Sequence, residues 1–110
     1  MKLWNTAALA SAAGLAALAG LATPGAALAQ DNALARSLAA TCANCHGTNG
    51  NARGEMKSLA GRPAESTVAL MNSYKSGALP ATIMHQIAKG YTDEQVQLIA
   101  AYFAAQKPKP

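Results

Sequence analysis

The chain has too few metal-binding and charged side chains for several common kinds of site. It contains two cysteines and two histidines in 110 residues, so a structural zinc site, which takes four such ligands, has no second pair to complete it. Charged residues make up 13% of the composition and form no basic stripe, which argues against nucleic-acid binding. The pattern of apolar residues shows no convincing strand, repeat or second domain. The chemistry that the sequence offers is concentrated around its two cysteines.

Those cysteines lie in the pentapeptide Cys42-Ala43-Asn44-Cys45-His46, which has the spacing C-x-x-C-H of a c-type haem attachment site. The two thiolates add to the haem vinyl groups, and two intervening residues place both on one side of a helical turn. His46 follows directly and offers an imidazole nitrogen as the proximal iron ligand. A disulfide at this spacing would be a strained ring, and a thioredoxin-like dithiol needs a β-α-β context. We therefore expect one covalent haem c on Cys42 and Cys45.

The first 29 residues have the features of a cleaved secretory signal peptide. The start carries a single lysine, residues 7–22 are almost all Ala, Leu and Gly, and Ala27-Leu28-Ala29 has the small-x-small pattern of a signal peptidase site. The apolar stretch is nearly long enough for a membrane anchor, but a Pro-Gly pair interrupts it. We expect a periplasmic protein whose mature form, residues 30–110, is a single domain without a membrane span.

The mature chain is small and close to neutral. Residues 30–110 number 81 and carry eight basic and five acidic side chains, which leaves a net charge of +3. A domain of this size buries little apolar surface and usually needs a staple, which a covalent haem supplies as a large apolar plate. We expect the haem-free chain to be molten or unfolded. The tail, residues 107–110, is predicted to be a solvated end.

The periodicity predicts an all-α domain. Asp31 or Asn32 can cap the first helix, residues 47–61 have the Gly and Asn content of a loop, and Thr92 opens a capping box with Gln95. The predicted helices are, in chain order, Ala33–Ala40, a second helix with Pro63 in its first turn that continues through Ala64–Lys75, a short helix Ile83–Lys89, and a last helix that runs to about Gln106. The predicted apolar stripes are Val68, Met71 and Tyr74 on the second helix, and Val96, Ile99, Ala100 and Phe103 on the last.

Four side chains are candidates for the sixth iron ligand: Met56, Met71, Met84 and His85. Met71 lies on an apolar helix face and is expected in the core, whereas Met84 comes 39 residues after Cys45, which lets the chain cross to the distal face. We assign Met84, with His85 or an open site as alternatives; His85 is expected at the surface. An iron bound by histidine and methionine has no vacant position for substrate, which favours electron transfer over catalysis.

Several segments resemble a known family. Cys42–Asn51, followed by Leu59-Ala60-Gly61, resembles the class I cytochrome c fold in its short bacterial c4/c553-like form. Tyr74–Gly77, Ala81–Thr92 and Ala101–Phe103 more closely resemble the haem subunit of flavocytochrome c sulfide dehydrogenase. The similarity covers nearly all of the mature chain. It implies three to four helices packed around one covalently attached haem, with Met84 in the axial position.

The resemblance also implies a partner. An FAD-containing flavoprotein subunit would oxidise sulfide in the periplasm and pass electrons singly to this haem, which would reduce a downstream cytochrome or another acceptor. The chain would not be catalytic by itself. One alternative is a diffusible electron shuttle to a terminal oxidase or reductase. Another is a ligand-binding sensor or small peroxidase with an open sixth site, against which Met84 counts.

The chain departs from the family pattern in three ways. Well-studied members carry two haems in tandem domains, whereas this sequence has one C-x-x-C-H. Class I cytochromes usually place a proline after the motif, whose carbonyl receives the N–H of the proximal histidine. Residues 47–62 contain no proline, so another carbonyl must orient His46. The usual Gly and aromatic of the first helix are replaced, and the residues expected to pack there against Tyr102 and Phe103 are Leu34, Ala35 and Leu38.

Overall fold

The structure, a computed structural model, describes Gly20 and residues 24–110. Within these residues it has four α-helices and no strand: α1 Pro24–His46, α2 Ala64–Ser76, α3 Met84–Lys89 and α4 Asp93–Ala104, with a 3-10 turn at Thr48–Gly50. The all-α prediction is therefore confirmed. Residues 1–19 and 21–23, which make up most of the predicted signal peptide, lie outside the part of the chain that the structure describes. Of the described helices, none combines the length and the apolar character that a membrane crossing requires.

Helix α1 begins earlier and ends later than predicted. It starts at Pro24 rather than Ala33, so the expected cap at Asp31 or Asn32 is not used. The segment after Gly25 is rich in alanine and leucine, which have the best helix propensities, and contains no further glycine or proline before Gly47. Because nothing interrupts the helix, its last turn includes the whole C-x-x-C-H motif.

The segment predicted as a loop closes back on the end of α4. Leu59 N and Ala60 N both donate to the carbonyl of Gly50, at 2.8 and 3.1 Å. Gly50 has φ of 76°, and a Cβ on it would lie 2.7 Å from a ring carbon of Phe103. Only glycine meets both demands at this position. The two ends of the loop, at Gly50 and at Leu59 and Ala60, are thus held together against α4, and the residues between them are largely exposed.

The other three helices agree with the prediction to within two residues. Pro63 immediately precedes α2 rather than forming part of its first turn, and Gly77 ends α2 in the left-handed conformation with φ of 78°. The capping box of α4 is present: Gln95 N donates to Thr92 Oγ1 at 3.2 Å, and Thr92 N donates to Gln95 Oε1 at 3.0 Å. Helix α4 ends at Ala104, two residues before the predicted Gln106.

The core consists of two clusters that share α4. The first cluster joins α1 to α4, and its members are Ala39, Ile99 and Phe103, with Leu38, Cys42, Leu59, Tyr91 and Tyr102 packed against them. The second cluster joins α2, α3 and α4, and its members are Met71, Ala88 and Val96, with Val68, Tyr74, Met84 and Tyr91 packed against them. The predicted stripes on α2 and α4 are confirmed.

The expected packing of α1 is partly wrong. Leu34 is 46% exposed, whereas the small side chains of Ala35 and Ala39 are buried. Helices α1 and α4 approach closely at alanines, which leaves the larger leucine outside the contact. Leu38 does pack against the first cluster, beside an edge-to-face pair of Tyr102 and Phe103 with ring centroids 5.3 Å apart.

Residues 107–110 are exposed, as expected for a solvated tail, but hydrogen bonds also hold the tail backbone against the loop. Asn51 Nδ2 donates to the carbonyl of Lys107 at 3.1 Å, and Lys109 N donates to Asn51 Oδ1 at 2.7 Å. A Cβ on Gly61 would lie 2.6 Å from Pro108 Cγ, so the missing side chain makes room for the proline ring. One amide can donate and accept at once, and it therefore ties both ends of a short tail segment to the loop. The lysine side chains themselves remain exposed.

The tail contacts generate a stability prediction. Asn51→Ala removes both hydrogen bonds to the tail, so the free energy of unfolding of the haem-loaded protein should fall by about 1–3 kcal/mol. Denaturant titration measures this change. Asn72→Ala, at an exposed position of α2, serves as the matched control and should cause no loss. Equal stability of the two variants would show that the tail contacts do not contribute.

Candidate haem-binding site

The last turn of α1 presents both cysteines of the motif. They lie three residues apart on the helix, which places them on the same side. Both are free thiols; Cys42 is half-buried and packs against the first cluster, whereas Cys45 is exposed. Burial raises the pKa of the Cys42 thiol, because the thiolate would lose solvation. The two thiols thus differ in exposure: Cys42 is partly covered by the first cluster, whereas Cys45 is open to solvent.

The ring of His46, the last residue of α1, is oriented by a backbone carbonyl. Its Nδ1 lies 2.6 Å from the carbonyl oxygen of Lys57. A carbonyl can only accept, so Nδ1 carries the proton, and the neutral imidazole has its lone pair at Nε2. Nε2 is then available as an iron ligand, and the ring is held in that tautomer. Lys57 supplies the carbonyl that the sequence required but could not identify.

The loop that carries this carbonyl is closed by a side chain. Ser58 Oγ accepts a hydrogen bond from Ala52 N at 3.1 Å, which holds the two sides of the loop together next to Lys57. Gly47 begins the loop with φ of 80°, and a Cβ there would overlap the carbonyl of Asn51. The turn after the motif therefore needs glycine. It reverses the chain, so that the loop can bring the Lys57 carbonyl to His46.

Met84 lies in the other half of the domain. It is the first residue of α3, is half-buried, and packs against the cluster of Met71, Ala88 and Val96. Among the rival methionines, Met71 is buried in the core as predicted, and Met56 is 47% exposed on the loop. The candidate ligands are thus divided between the α1 side and the α2–α3 side of the domain.

Two polar atoms in the α2–α3 half were not anticipated. Thr67 Oγ1 and His85 Nδ1 are both buried without a hydrogen-bond partner. His85 is half-buried, contrary to the expected surface position, whereas Thr67 lies one turn before Met71 on the buried face of α2. The sequence signal that could have pointed to Thr67 is its hydroxyl, which lies next to the apolar residues of the α2 stripe. Unpartnered buried polar atoms are uncommon, so these two are the atoms of this half that a bound group or water could satisfy.

The donor set fits a haem c and no other metal centre among the described residues. Two free thiols and an adjacent histidine with its Nε2 lone pair available match the chemistry of covalent attachment and axial ligation. Across residues 24–110, no group of three or more His, Cys, Asp or Glu side chains could hold a metal ion. A groove of about 490 Å³ between α1 and α4 is lined in part by Arg36, Leu98 and Tyr102 and lies away from the motif.

Comparison with known proteins agrees with this chemistry. Residues 29–103 match the family model described as cytochrome c oxidase, cbb3-type, subunit III. The chain is 41% identical over 66 residues to the cytochrome subunit of sulfide dehydrogenase from Chlorobaculum tepidum, a match that covers 60% of each protein. It is 34% identical over 80 residues to cytochrome c4 of Pseudomonas aeruginosa, covering 72% of this chain and 40% of the relative.

A further relative is matched over its whole length. The chain is 31% identical over 83 residues to cytochrome c-554(548) of Halomonas halodenitrificans, and the match covers 72% of this chain and 100% of that protein. By contrast, the chain spans about 60% of the Chlorobaculum tepidum subunit and less than half of cytochrome c4. The similarity therefore comprises one cytochrome-sized unit.

The His46 contact can be tested by hydrogen exchange. Ser58→Ala opens the loop beside Lys57, so the Nδ1 proton of His46 should exchange about 2- to 10-fold faster in NMR spectra of the reduced, haem-loaded protein. Lys57→Ala is the matched control and should leave exchange unchanged, because the acceptor is the backbone carbonyl. Unchanged exchange in Ser58→Ala would show that loop closure does not hold the carbonyl in place.

Proposed function

This chain belongs to the class I c-type cytochromes, all-α electron-transfer proteins with covalently bound haem c, and we propose that it is the cytochrome subunit of a periplasmic flavocytochrome c sulfide dehydrogenase. The observation that carries the electron-transfer chemistry is the His46–Lys57 contact, which leaves Nε2 free for iron. The match to the Chlorobaculum tepidum subunit supports the choice of partner enzyme.

In this proposal each residue of the site has one role. Cys42 and Cys45 would hold the haem covalently, and His46 and Met84 would be the ligands to its iron. When bound, the haem supplies one-electron exchange at its iron. The Lys57 carbonyl makes His46 a more basic, fixed ligand. The thioether of Met84 is soft and neutral, which favours the ferrous state and raises the reduction potential. No side chain acts as acid, base or nucleophile.

The exposed residues around the site support electron entry at this surface. Cys45 is exposed, so a haem attached to it would have an edge near solvent. Ile83, immediately before α3, and Ile87, within α3, lie on either side of Met84 in the sequence and are 54% and 38% exposed. Neighbouring exposed apolar side chains of this kind are typical of surfaces that contact another molecule. A redox partner that docks there would lie close to the haem.

The partner in this proposal is an FAD-containing flavoprotein. It would oxidise sulfide and deliver electrons one at a time, and this chain would pass them to a downstream cytochrome or other acceptor. Residues 1–29 would direct the chain to the periplasm and be removed, leaving residues 30–110 as the single cytochrome domain. The sulfide chemistry would belong to the flavoprotein, and this chain would supply the haem site and the docking surface.

A diffusible electron shuttle is the second candidate. The observation that favours it is the match to cytochrome c-554(548), which is covered over its full length by a single unit like this one and whose name mentions no partner subunit. In that role the same haem site would exchange electrons with a terminal oxidase or reductase through transient contacts. The two candidates differ in the partner and share the site.

The ligand assignment is tested by removing one methionine at a time. Met84→Ala should open the sixth site, so the reduced protein binds carbon monoxide and the reduction potential falls, within the ~0.8 V range over which axial ligands act. Met56→Ala, at an exposed position outside both core clusters, is the matched control and should change neither property. An unaltered spectrum and potential in Met84→Ala would remove Met84 from the ligand set.

The partner is tested on native material. The protein is purified from periplasm in low salt, its optical spectrum is recorded, and sulfide is added. A flavin band that accompanies the haem, with haem reduction by sulfide only while the flavoprotein is bound, is the expected result. A flavin-free haem monomer that ignores sulfide and exchanges electrons with other cytochromes would replace this proposal by the diffusible shuttle.

A further inference from the structure

Tyr91 contacts both halves of the domain. Its side chain packs against the first cluster, as Cys42 does, and against the second cluster, as Met84 does. It is the one side chain that the two clusters, as described over residues 24–110, share. Helix α1 packs on α4 and on the 3-10 turn, whereas α3 packs on α2. Tyr91 therefore joins two parts of the domain that otherwise meet through α4.

The hydroxyl of Tyr91 forms a directed link to α1. It lies 2.8 Å from Thr41 Oγ1, across fifty residues of sequence. The Thr41 hydroxyl already donates its single proton to the carbonyl of Leu38 at 3.0 Å. A hydroxyl has only one proton to donate, so Tyr91 must be the donor to Thr41. Two consecutive hydrogen bonds therefore run from Tyr91 through Thr41 to the backbone of α1.

The two ends of this link lie beside the two parts of the proposed haem site. Thr41 immediately precedes Cys42, and Tyr91 N donates to the carbonyl of Ala88 at 3.3 Å, near the end of the helix that Met84 begins. Covalent attachment through Cys42 and Cys45 would fix the haem to the α1 half, whereas Met84 would reach it from the α3 half. The bond between Tyr91 and Thr41 directly connects these halves, beside the cysteine that would hold the haem.

We propose that Tyr91 is a positioning residue that keeps the α3 half closed on the haem and so keeps Met84 on the iron. This rests on the proposed ligation by Met84. When the α3 half opens, Met84 leaves and an external ligand can take the sixth site. The Tyr91–Thr41 bond opposes that opening, because it exists only while the halves are together. Losing one neutral hydrogen bond should favour the open form about 2- to 10-fold.

The experiment measures the affinity of the ferric, haem-loaded protein for imidazole. Binding is monitored through the loss of the iron–thioether absorption band. Tyr91→Phe removes only the hydroxyl and should raise the apparent imidazole affinity about 2- to 10-fold, with the resting spectrum unchanged. Thr41→Val should have the same effect. Thr41→Ser, which keeps the hydroxyl, should bind imidazole with the affinity of the unchanged protein. The double variant Tyr91→Phe with Thr41→Val should bind imidazole no more tightly than either single variant.

Tyr102→Phe is the matched control. It deletes the same kind of hydroxyl, which donates to Asn49 Oδ1 at 2.8 Å, but this bond lies within the α1–α4 half. Imidazole affinity in Tyr102→Phe should remain at the original value even if its stability to denaturant falls. An equal rise in Tyr91→Phe and Tyr102→Phe would overturn the proposal in favour of general loosening.

The remaining outcomes separate the link from the ligand assignment. A wild-type spectrum with the thioether band, together with unaltered affinity in Tyr91→Phe, overturns the role of Tyr91 and leaves Met84 as ligand. If the wild-type protein lacks that band, and Met84→Ala binds imidazole no more tightly than the wild type, the ligation by Met84 is wrong and the role of Tyr91 falls with it.

Discussion

The packing of Phe103 connects α4 to the other parts of the structure that position the site. Its ring is 1% exposed, lies in the cluster with Ala39 of α1, and comes so close to Gly50 that no side chain fits there. Its carbonyl accepts from Gly61 N at 2.9 Å. The motif helix and the loop that carries the Lys57 carbonyl are therefore both held against Phe103, and the tail packs on Gly61 of the same loop. Tight packing of this kind transmits any change in volume to its neighbours.

Around this contact the domain is divided into two small halves. One half carries the motif on α1, and the other carries Met84 on α3, with α4 shared between the two clusters. A chain of this size has little apolar surface to bury, so a covalent haem between the halves would supply a large part of the core. The same division would let a single tyrosine hydroxyl at the junction influence the proposed ligation by Met84.

The elements that were predicted correctly depend on local interactions. The capping box at Thr92 and the left-handed Gly77 are made by residues within a few positions of each other. The start of α1 was missed because alanine propensity extends the helix upstream of the polar residues that could have capped it. Leu34 was placed inside because periodicity gives a helix face but not how closely the partner helix approaches.

By itself, the sequence determined the chemistry of this protein: two thiols and a histidine at haem-attachment spacing, on helices whose periods and caps are local properties. Tertiary structure decided what surrounds that chemistry. The acceptor for His46 is the backbone of Lys57, and every residue has a carbonyl, so no residue type could identify it. The Tyr91–Thr41 bond and the Asn51 contacts with the tail join residues about fifty positions apart. Such pairs are chosen by how the helices pack, which a reading along the chain does not contain.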